Sequence, residues 1–290
     1  MTNWALAELQ DIQSIRVRED LLDELHGLVL SLPYSIGAKP TNKYELYRVK
    51  YAEGQIIFYT SGKIVSTSLI AKRVLQKMVI RLGAESAEDV IGSDEVGKGE
   101  SLGPLVVCAT LIPSKMNAKL ISKGVMDSKD LSRRRIALVA LEIKNDRDIT
   151  WSKVLVAPER FNKLFNDLKK EKKGLNDLLA WAHTKAIGEI VNKLENSKNV
   201  RIIVDEFDRI RTEKRMAKIV KRGFKLEQKV RAEDEVAVAC SSILAKDARE
   251  NWIDEMSKRV KIDLRSLRRS EAIKLPNKGK YFKVDYLKGT

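Results

Sequence analysis

Cysteine is nearly missing from this chain: there are two among 290 residues, Cys108 and Cys240. Each sits in its own apolar stretch, so they make neither a zinc motif nor a disulfide framework. Buried free thiols in a reducing compartment are the expectation. Long hydrophobic runs are also missing. No stretch reaches the roughly 18 apolar residues that a membrane span needs. Hydrophobic residues still make up 43% of the chain, enough for a sizeable core. The first residues, Met1-Thr-Asn-Trp-Ala-Leu-Ala-Glu, lack the basic n-region and apolar h-region of an export signal, so a cytoplasmic protein is expected. No internal repeat or low-complexity tract is present.

Negative charge is the minority sign, with 40 Asp and Glu against 55 Lys and Arg and a net charge of +15. Such an excess suits a polyanionic partner, but charge alone does not separate a nucleic-acid binder from a generally basic surface. The cations cluster at Lys169-Lys170-Glu171-Lys172-Lys173, from Arg209 to Arg222, and from Arg265 to Arg269. The first of these clusters reads as a solvated helix end or loop.

Periodicity divides the chain into two domains. Residues 17–32 have helical spacing that ends at Pro33. Three strands are expected over 44–51, 55–59 and 63–68, with a Ser61-Gly62 turn, followed by a helix over 69–82. Residues 83–89 are small and polar and read as a linker. A small α+β domain over 1–84 and a second domain over 85–290 are therefore expected. In the second, a strand from Asp89 that ends at the acids Asp94 and Glu95, and strands over 105–112, 150–156, 201–205 and 224–230, alternate with helices over 133–144, after Pro158, over 175–194 and over 236–260. This is an α/β pattern with a mixed, partly antiparallel sheet. The last helix carries a stripe of small residues, Ala239, Ser242, Ala245 and Ala248, which permits close packing on a sheet.

The most informative segment is Ile91-Gly-Ser-Asp-Glu-Val-Gly-Lys-Gly-Glu100. An apolar strand ends there in two adjacent carboxylates, Asp94 and Glu95. Acids at the end of a buried strand are costly unless something positive meets them, and a hard divalent cation prefers oxygen ligands. Neighbouring strand residues point to opposite faces, so both acids can serve one site if the strand ends at Glu95. Further acids stand where apolar structure stops: Asp127, Asp205, and Glu233 with Asp234. If they converge, mutual repulsion destabilises the site until metal relieves it. Two metal ions can activate water and stabilise a leaving oxygen in phosphodiester hydrolysis. Asp127 and Asp130 read instead as helix capping and loop ordering. His183, on a helix, reads as structural, and Trp181 and Trp252 as packing residues. In the first domain Tyr47, Tyr51, Phe58 and Tyr59 alternate with Arg48 and Lys50; some of these aromatics could stack on nucleic acid, but half must fill the core.

These residues carry a family resemblance. Gly92-Ser-Asp-Glu-Val-Gly-Lys-Gly99 with Gly103-Pro-Leu-Val-Val107 resembles the first motif of the type 2 ribonucleases H. Asp127-Ser-Lys-Asp-Leu-Ser132 is similar to the second, Ile203-Val-Asp-Glu-Phe207 to the strand bearing the third carboxylate, and Ala237-Val-Ala-Cys-Ser-Ser-Ile-Leu-Ala-Lys246 to the helix after the fourth. The four motifs occur in family order over residues 90 to about 255. Leu178-Leu-Ala-Trp-Ala-His-Thr-Lys-Ala-Ile187 and the Leu275-Pro to Val284-Asp285 segment are more similar to ribonuclease HIII than to HII, as is a glutamate following Arg231-Ala232.

The resemblance implies a ribonuclease H-like five-stranded sheet flanked by helices, a C-terminal helical extension, and a small N-terminal domain like half of a TATA-binding protein. It implies endonucleolytic cleavage of the RNA strand of RNA/DNA hybrids with two Mg2+ or Mn2+ ions, leaving 5′-phosphate and 3′-hydroxyl ends. Carried over motif by motif, Asp94, Glu95, Asp205 and Glu233 are the catalytic metal-binding acids, with Asp94 bridging both ions. Gly97, Lys98, Gly99, Ser128 and Lys129 are the expected substrate contacts; amides in the glycine turn can read a 2′-hydroxyl. The spacing from Glu233 to Ala237 leaves Asp234 open as the fourth acid. Lys98 stands where arginine or threonine is usual, and Ser241-Ser242 where Ala-Ser is. A monomer is expected. The alternatives are an HII-like enzyme that also incises at single ribonucleotides in duplex DNA, and a non-catalytic nucleic-acid-binding protein of the same fold.

Overall fold

The computed structural model describes residues 14–17, 19–82, 88–125, 131–194, 199–205, 208–229, 232 and 235–287. The chain forms two compact units, Met1–Glu88 with Pro113–Leu131, and Asp89–Ile112 with Ser132–Thr290.

In the first unit β1 (Ser14–Arg16), α1 (Leu22–Leu30), β2 (Ile36–Ala38), β3 (Glu45–Tyr51), β4 (Gly54–Tyr59), β5 (Lys63–Ser66) and α2 (Leu69–Leu82) follow in order. The strands make an antiparallel sheet, β1-β5-β4-β3-β2. Inward residues of the sheet, Val49, Ile56, Phe58 and Ile64, meet Leu22, Leu25 and Val29 of α1 and Leu75 and Val79 of α2 in one core. The helix expected from residue 17 starts at Leu22. Val17 is held to the sheet instead, its N–H donating to the Gly62 carbonyl at 3.0 Å with its side chain buried. Strands β1 and β2 have three residues each, too short to show alternation in sequence. The short helix α3 (Asn117–Ser122) also belongs to this unit: Ile121 packs on its core.

Among the aromatics of this unit, Phe58 is fully buried and Tyr47 and Tyr51 lean on the core. Tyr47 stacks on His26 with ring centroids 3.8 Å apart and donates to Asp23 at 2.8 Å. Arg48 is tied to Glu45, Nη2 to Oε1 at 2.6 Å.

The second unit is built on β6 (Asp89–Val96), β7 (Leu105–Ile112), β8 (Thr150–Val156), β9 (Val200–Asp205) and β10 (Lys225–Lys229), in the order β10-β9-β6-β7-β8. β10, β9 and β6 run parallel, β7 pairs antiparallel with β6, and β8 antiparallel with β7. β7 is buried at every position, as a strand covered on both faces must be. The helices are α4 (Arg133–Asn145), α5 (Pro158–Lys170), α6 (Leu175–Val191), α7 (Arg209–Val220), α8 (Val236–Val260) and α9 (Arg269–Lys274). Ser132 caps α4, its hydroxyl accepting from the Arg135 N–H at 3.3 Å.

Two helices cover opposite faces of β6. On one side, Leu179, Ala182, Ala186, Ile187 and Ile190 of α6 pack with Ile91, Val107 and Val204. On the other, α8 lies directly on Gly92. A Cβ at Gly92 would fall 2.2 Å from the Val238 nitrogen and 2.3 Å from the Ala237 carbonyl carbon. Ser241 donates to the Gly92 carbonyl at 3.0 Å and Thr110 to the Ala237 carbonyl at 2.7 Å. The small-residue stripe thus lets helix backbone touch strand backbone, and hydroxyls satisfy the polar groups trapped between them. Both thiols are buried; burial pushes Cys108 up to about 12, and Cys240 likewise upward. No helix among the described residues is long and apolar enough to cross a membrane.

Candidate active site

The acids stand at one end of the second sheet. β6 and β9 run parallel, and the last pair in register is Ser93 with Val204. Asp94 and Asp205 are the next residues on each strand. They therefore lie side by side, about one strand spacing apart (~4.8 Å) and on the same face. That face is the one α8 covers, and the Ser242 hydroxyl of α8 hydrogen-bonds to Asp94.

β6 does not end at Glu95 but continues to Val96. Glu95 consequently points to the opposite face, toward α6. Its backbone amide donates to Asp94 Oδ1 at 2.8 Å, which fixes the Asp94 carboxylate against the strand's end. On the α6 side a buried chain of polar groups supports it. Ser93 Oγ donates to the Cys108 carbonyl at 2.8 Å and lies 2.8 Å from His183 Nδ1. With its proton committed to Cys108, Ser93 accepts from Nδ1–H. The other ring nitrogen, Nε2, then faces Glu95 Oε2 at 3.2 Å. Ser93 and His183 have no solvent exposure at all. His183 is structural, as its sequence context indicates, but what it structures is the acid pair. The missed signal was Ser93: a hydroxyl inside an apolar strand, one residue before an acid, needs a buried polar partner.

Electrostatics separate the two acids. Burial, then the adjacent Glu95 charge, raise Asp94 to about 6. Burial pushes Glu95 upward too, but the hydrogen bond and charge of His183 and the charge of Lys98 outweigh it and hold Glu95 below the usual carboxylate range. Lys98 Nζ lies 3.6 Å from Glu95 Oε1. Asp205 Oδ1 accepts the Ala232 N–H at 3.2 Å, which ties down the residue before Glu233. Glu233, Asp234, Ser128 and Lys129 lie outside the described residues, as do Asp127 and Asp130. Among the described residues no group of three or more ligating side chains forms a metal site. The donor set of Asp94, Glu95 and Asp205 is all oxygen and crowded with negative charge, which fits a hard divalent cation.

The glycine turn is held from two directions. Gly97 has φ +85°, and a Cβ there would fall 2.3 Å from the Pro104 carbonyl oxygen, so the turn closes on itself only with glycine. Past Gly99, a C-terminal segment absent from the sequence-based site pins the loop. The Lys283 N–H donates to the Ser101 carbonyl at 2.7 Å, Gly103 N–H to the Tyr281 carbonyl at 2.9 Å, and Lys283 Nζ to the Gly103 carbonyl at 2.7 Å. Arg249 of α8 donates to the Leu102 carbonyl at 3.1 Å and pairs with Glu100. Lys283 is fully buried, and burial, then the Arg249 charge, lower its pKa to about 7.

A mixed five-stranded sheet between helices, with carboxylates at the ends of its central parallel strands, defines a ribonuclease H-like protein. Comparison with known proteins narrows this. The sequence model of the Ribonuclease HII family matches residues 91–267. The chain is 36% identical over 174 residues to a ribonuclease HIII of Protochlamydia amoebophila, a match covering 60% of this chain and 55% of that protein. It is 32% identical over 219 residues to the Chlamydia pneumoniae ribonuclease HIII, covering 74% and 67%, and 30% identical over 246 residues to that of Chlamydia muridarum, covering 80% and 74%. The structure of Bst-RNase HIII in complex with Mn2+ superimposes with a TM-score of 0.62 at 21% identity, over 94% of this chain and 95% of that one. Aquifex aeolicus RNase H3 gives 0.55 at 20% identity, over 94% and 99%. The chain therefore belongs to the type 2 ribonucleases H.

Proposed function

We propose that this protein cleaves the RNA strand of RNA/DNA hybrids endonucleolytically, with two divalent ions, leaving 5′-phosphate and 3′-hydroxyl ends. The observation that carries the reading is the register of β6 and β9, which sets Asp94 beside Asp205 with Glu95 next in the chain. Asp94, Glu95, Asp205 and Glu233 would hold the ions. A relative's structure contains Mn2+, and the oxygen-only donor set suits Mg2+ equally. When bound, the ions supply charge neutralisation and Lewis-acid polarisation of the phosphodiester and of water.

The protein's own groups do the positioning. Ser242 and the Glu95 amide orient Asp94, and the Ser93–His183 chain fixes Glu95 Oε2. The Ala232 amide orients Asp205. The Gly97–Gly99 turn would present amides to the 2′-hydroxyl of the ribose. The first unit and the net charge of +15 would add contacts to the phosphate backbone.

One assay tests the reading: a continuous hybrid and a duplex with one embedded ribonucleotide, each in Mg2+ and in Mn2+. Cleavage of the hybrid with 5′-phosphate products is expected, and loss of turnover by orders of magnitude in Asp94→Asn. Asp94→Asn with full turnover in Mg2+ would refute the assignment. Preferred cutting at the embedded ribonucleotide would favour the HII-like reading.

A further inference from the structure

A second feature of the catalytic unit has no part in the acid cluster. Between α6 and α7 runs a groove of about 580 Å3 lined by Lys173, Lys185, Arg211, Lys214 and Arg215, with Trp181 at its base and Asp177 as the one carboxylate. Its geometry follows from the two helices. Asp177, Trp181, Thr184 and Lys185 recur at helical spacing on one side of α6, where Trp181 also packs against the edge of the core. At their N-terminal ends the helices are stitched together: Asn176 Nδ2 donates to Asp208 Oδ2 at 3.2 Å, and Arg211 Nε pairs with Asp177 Oδ2 at 3.3 Å. Beyond the stitch the cations stand open. Lys185 Nζ rests over the Trp181 ring, 5.7 Å from its centroid. Lys214 and Arg215 are exposed, and among the described residues their side chains make no hydrogen bond or ion pair.

The groove starts at the same end of the sheet as the acids. α7 begins just after Asp205, at the Asp208 cap, and α6 carries His183, which touches Glu95, between Trp181 and Thr184. Lys173 pairs with Glu171 and Arg211 with Asp177 and Asp208, which leaves Lys185, Lys214 and Arg215 as like charges along one groove that repel one another unless an anion sits among them. The space exceeds what one inorganic phosphate needs and suits a chain of phosphates.

We propose that this groove binds the sugar-phosphate backbone of a nucleic-acid strand continuing from the substrate held at the acids. The proposal rests on the functional reading above and adds to it a specific anchoring surface. Each phosphate neutralised there releases counterions, so the site has its own signature in salt dependence.

The test compares two double variants with the full-length protein by fluorescence anisotropy on a labelled RNA/DNA hybrid, without divalent metal. Lys214→Ala/Arg215→Ala removes two groove cations. Lys218→Ala/Lys221→Ala removes two exposed cations that do not line the groove, and controls for bulk charge. The groove variant is expected to bind roughly tenfold more weakly near 0.1 M salt, with a log K against log salt slope shallower by about 2, and the control to stay within about twofold. Equal behaviour of the two variants, whether both weakened or both unchanged, overturns the proposal. The readout needs no turnover, so a wild-type protein that binds through the groove but cuts no hybrid would count against the functional reading alone.

Discussion

At the scale of single residues, Asp94 is held under tension. Its carboxyl sits at about 6 because burial and Glu95 disfavour its charge. The folded, metal-free protein thus binds this proton more tightly than the unfolded chain does, whose group titrates near 3.8. The sign follows from linkage. The contribution of Asp94 to stability falls as pH rises from about 4 to about 6 and stays low above that. Denaturation of wild type and Asp94→Asn in EDTA across this range is expected to show a stability difference that shifts in favour of Asn as pH rises. A constant difference would mean that Asp94 is not strained. Glu95 is the counterpart, kept ionised by its neighbours. His183→Ala should leave the fold standing and lower turnover or metal affinity about 10- to 100-fold, as loss of a group supporting a metal ligand does. His183→Gln should recover part of this, because its amide can still donate to Glu95. Parallel thermal unfolding checks that the loss is not one of folding. None of this is visible in the sequence, where His183 and Glu95 are 88 residues apart.

At the scale of elements, the contact between β6 and α8 sets the site. Helix backbone reaches strand backbone because Gly92 has no side chain and because α8 offers Ala237, Ser241 and Ser242. Gly92→Ala would force α8 outward and carry Ser242 from Asp94. A loss of about 1–3 kcal/mol of stability is expected from overpacking, together with lower activity, measured by denaturation and by hybrid cleavage. The periodic elements of this unit were legible in sequence: the strands ending at Asp205 and beginning at Leu105, and the 25-residue helix α8, lie within a residue or so of expectation. The end of β6 was not. Asp94 and Glu95 looked like a break in the apolar run, yet backbone pairing with Val106 carries the strand on to Val96, and polarity alone cannot reveal a hydrogen-bonded partner.

At the scale of the whole molecule, the segment 113–131 matters for any truncation. The linker at 83–89 suggests a boundary there, but Pro113–Leu131 belongs to the first unit, and Ile121 packs on that unit's core. Deleting residues 1–84 should weaken hybrid binding; it also removes the core on which Ile121 packs, so a fall in melting temperature should accompany the rise in KM. An unchanged KM would show that the first unit does not serve the substrate. Binding by the intact chain should weaken steeply and linearly on a log-log salt plot, as phosphate neutralisation requires.

What the sequence determined by itself was the inventory and its order: four acid-bearing motifs, a basic surface, a glycine turn, and the strand and helix periods that place them. These are local properties, written in neighbouring residues. The tertiary structure alone decided which acids adjoin, that Asp94 and Glu95 face opposite sides, that a buried serine and histidine hold one of them, and that Lys283 pins the turn. Those facts depend on strand register and helix packing between residues far apart in the chain, where a shift of one residue reverses every side chain.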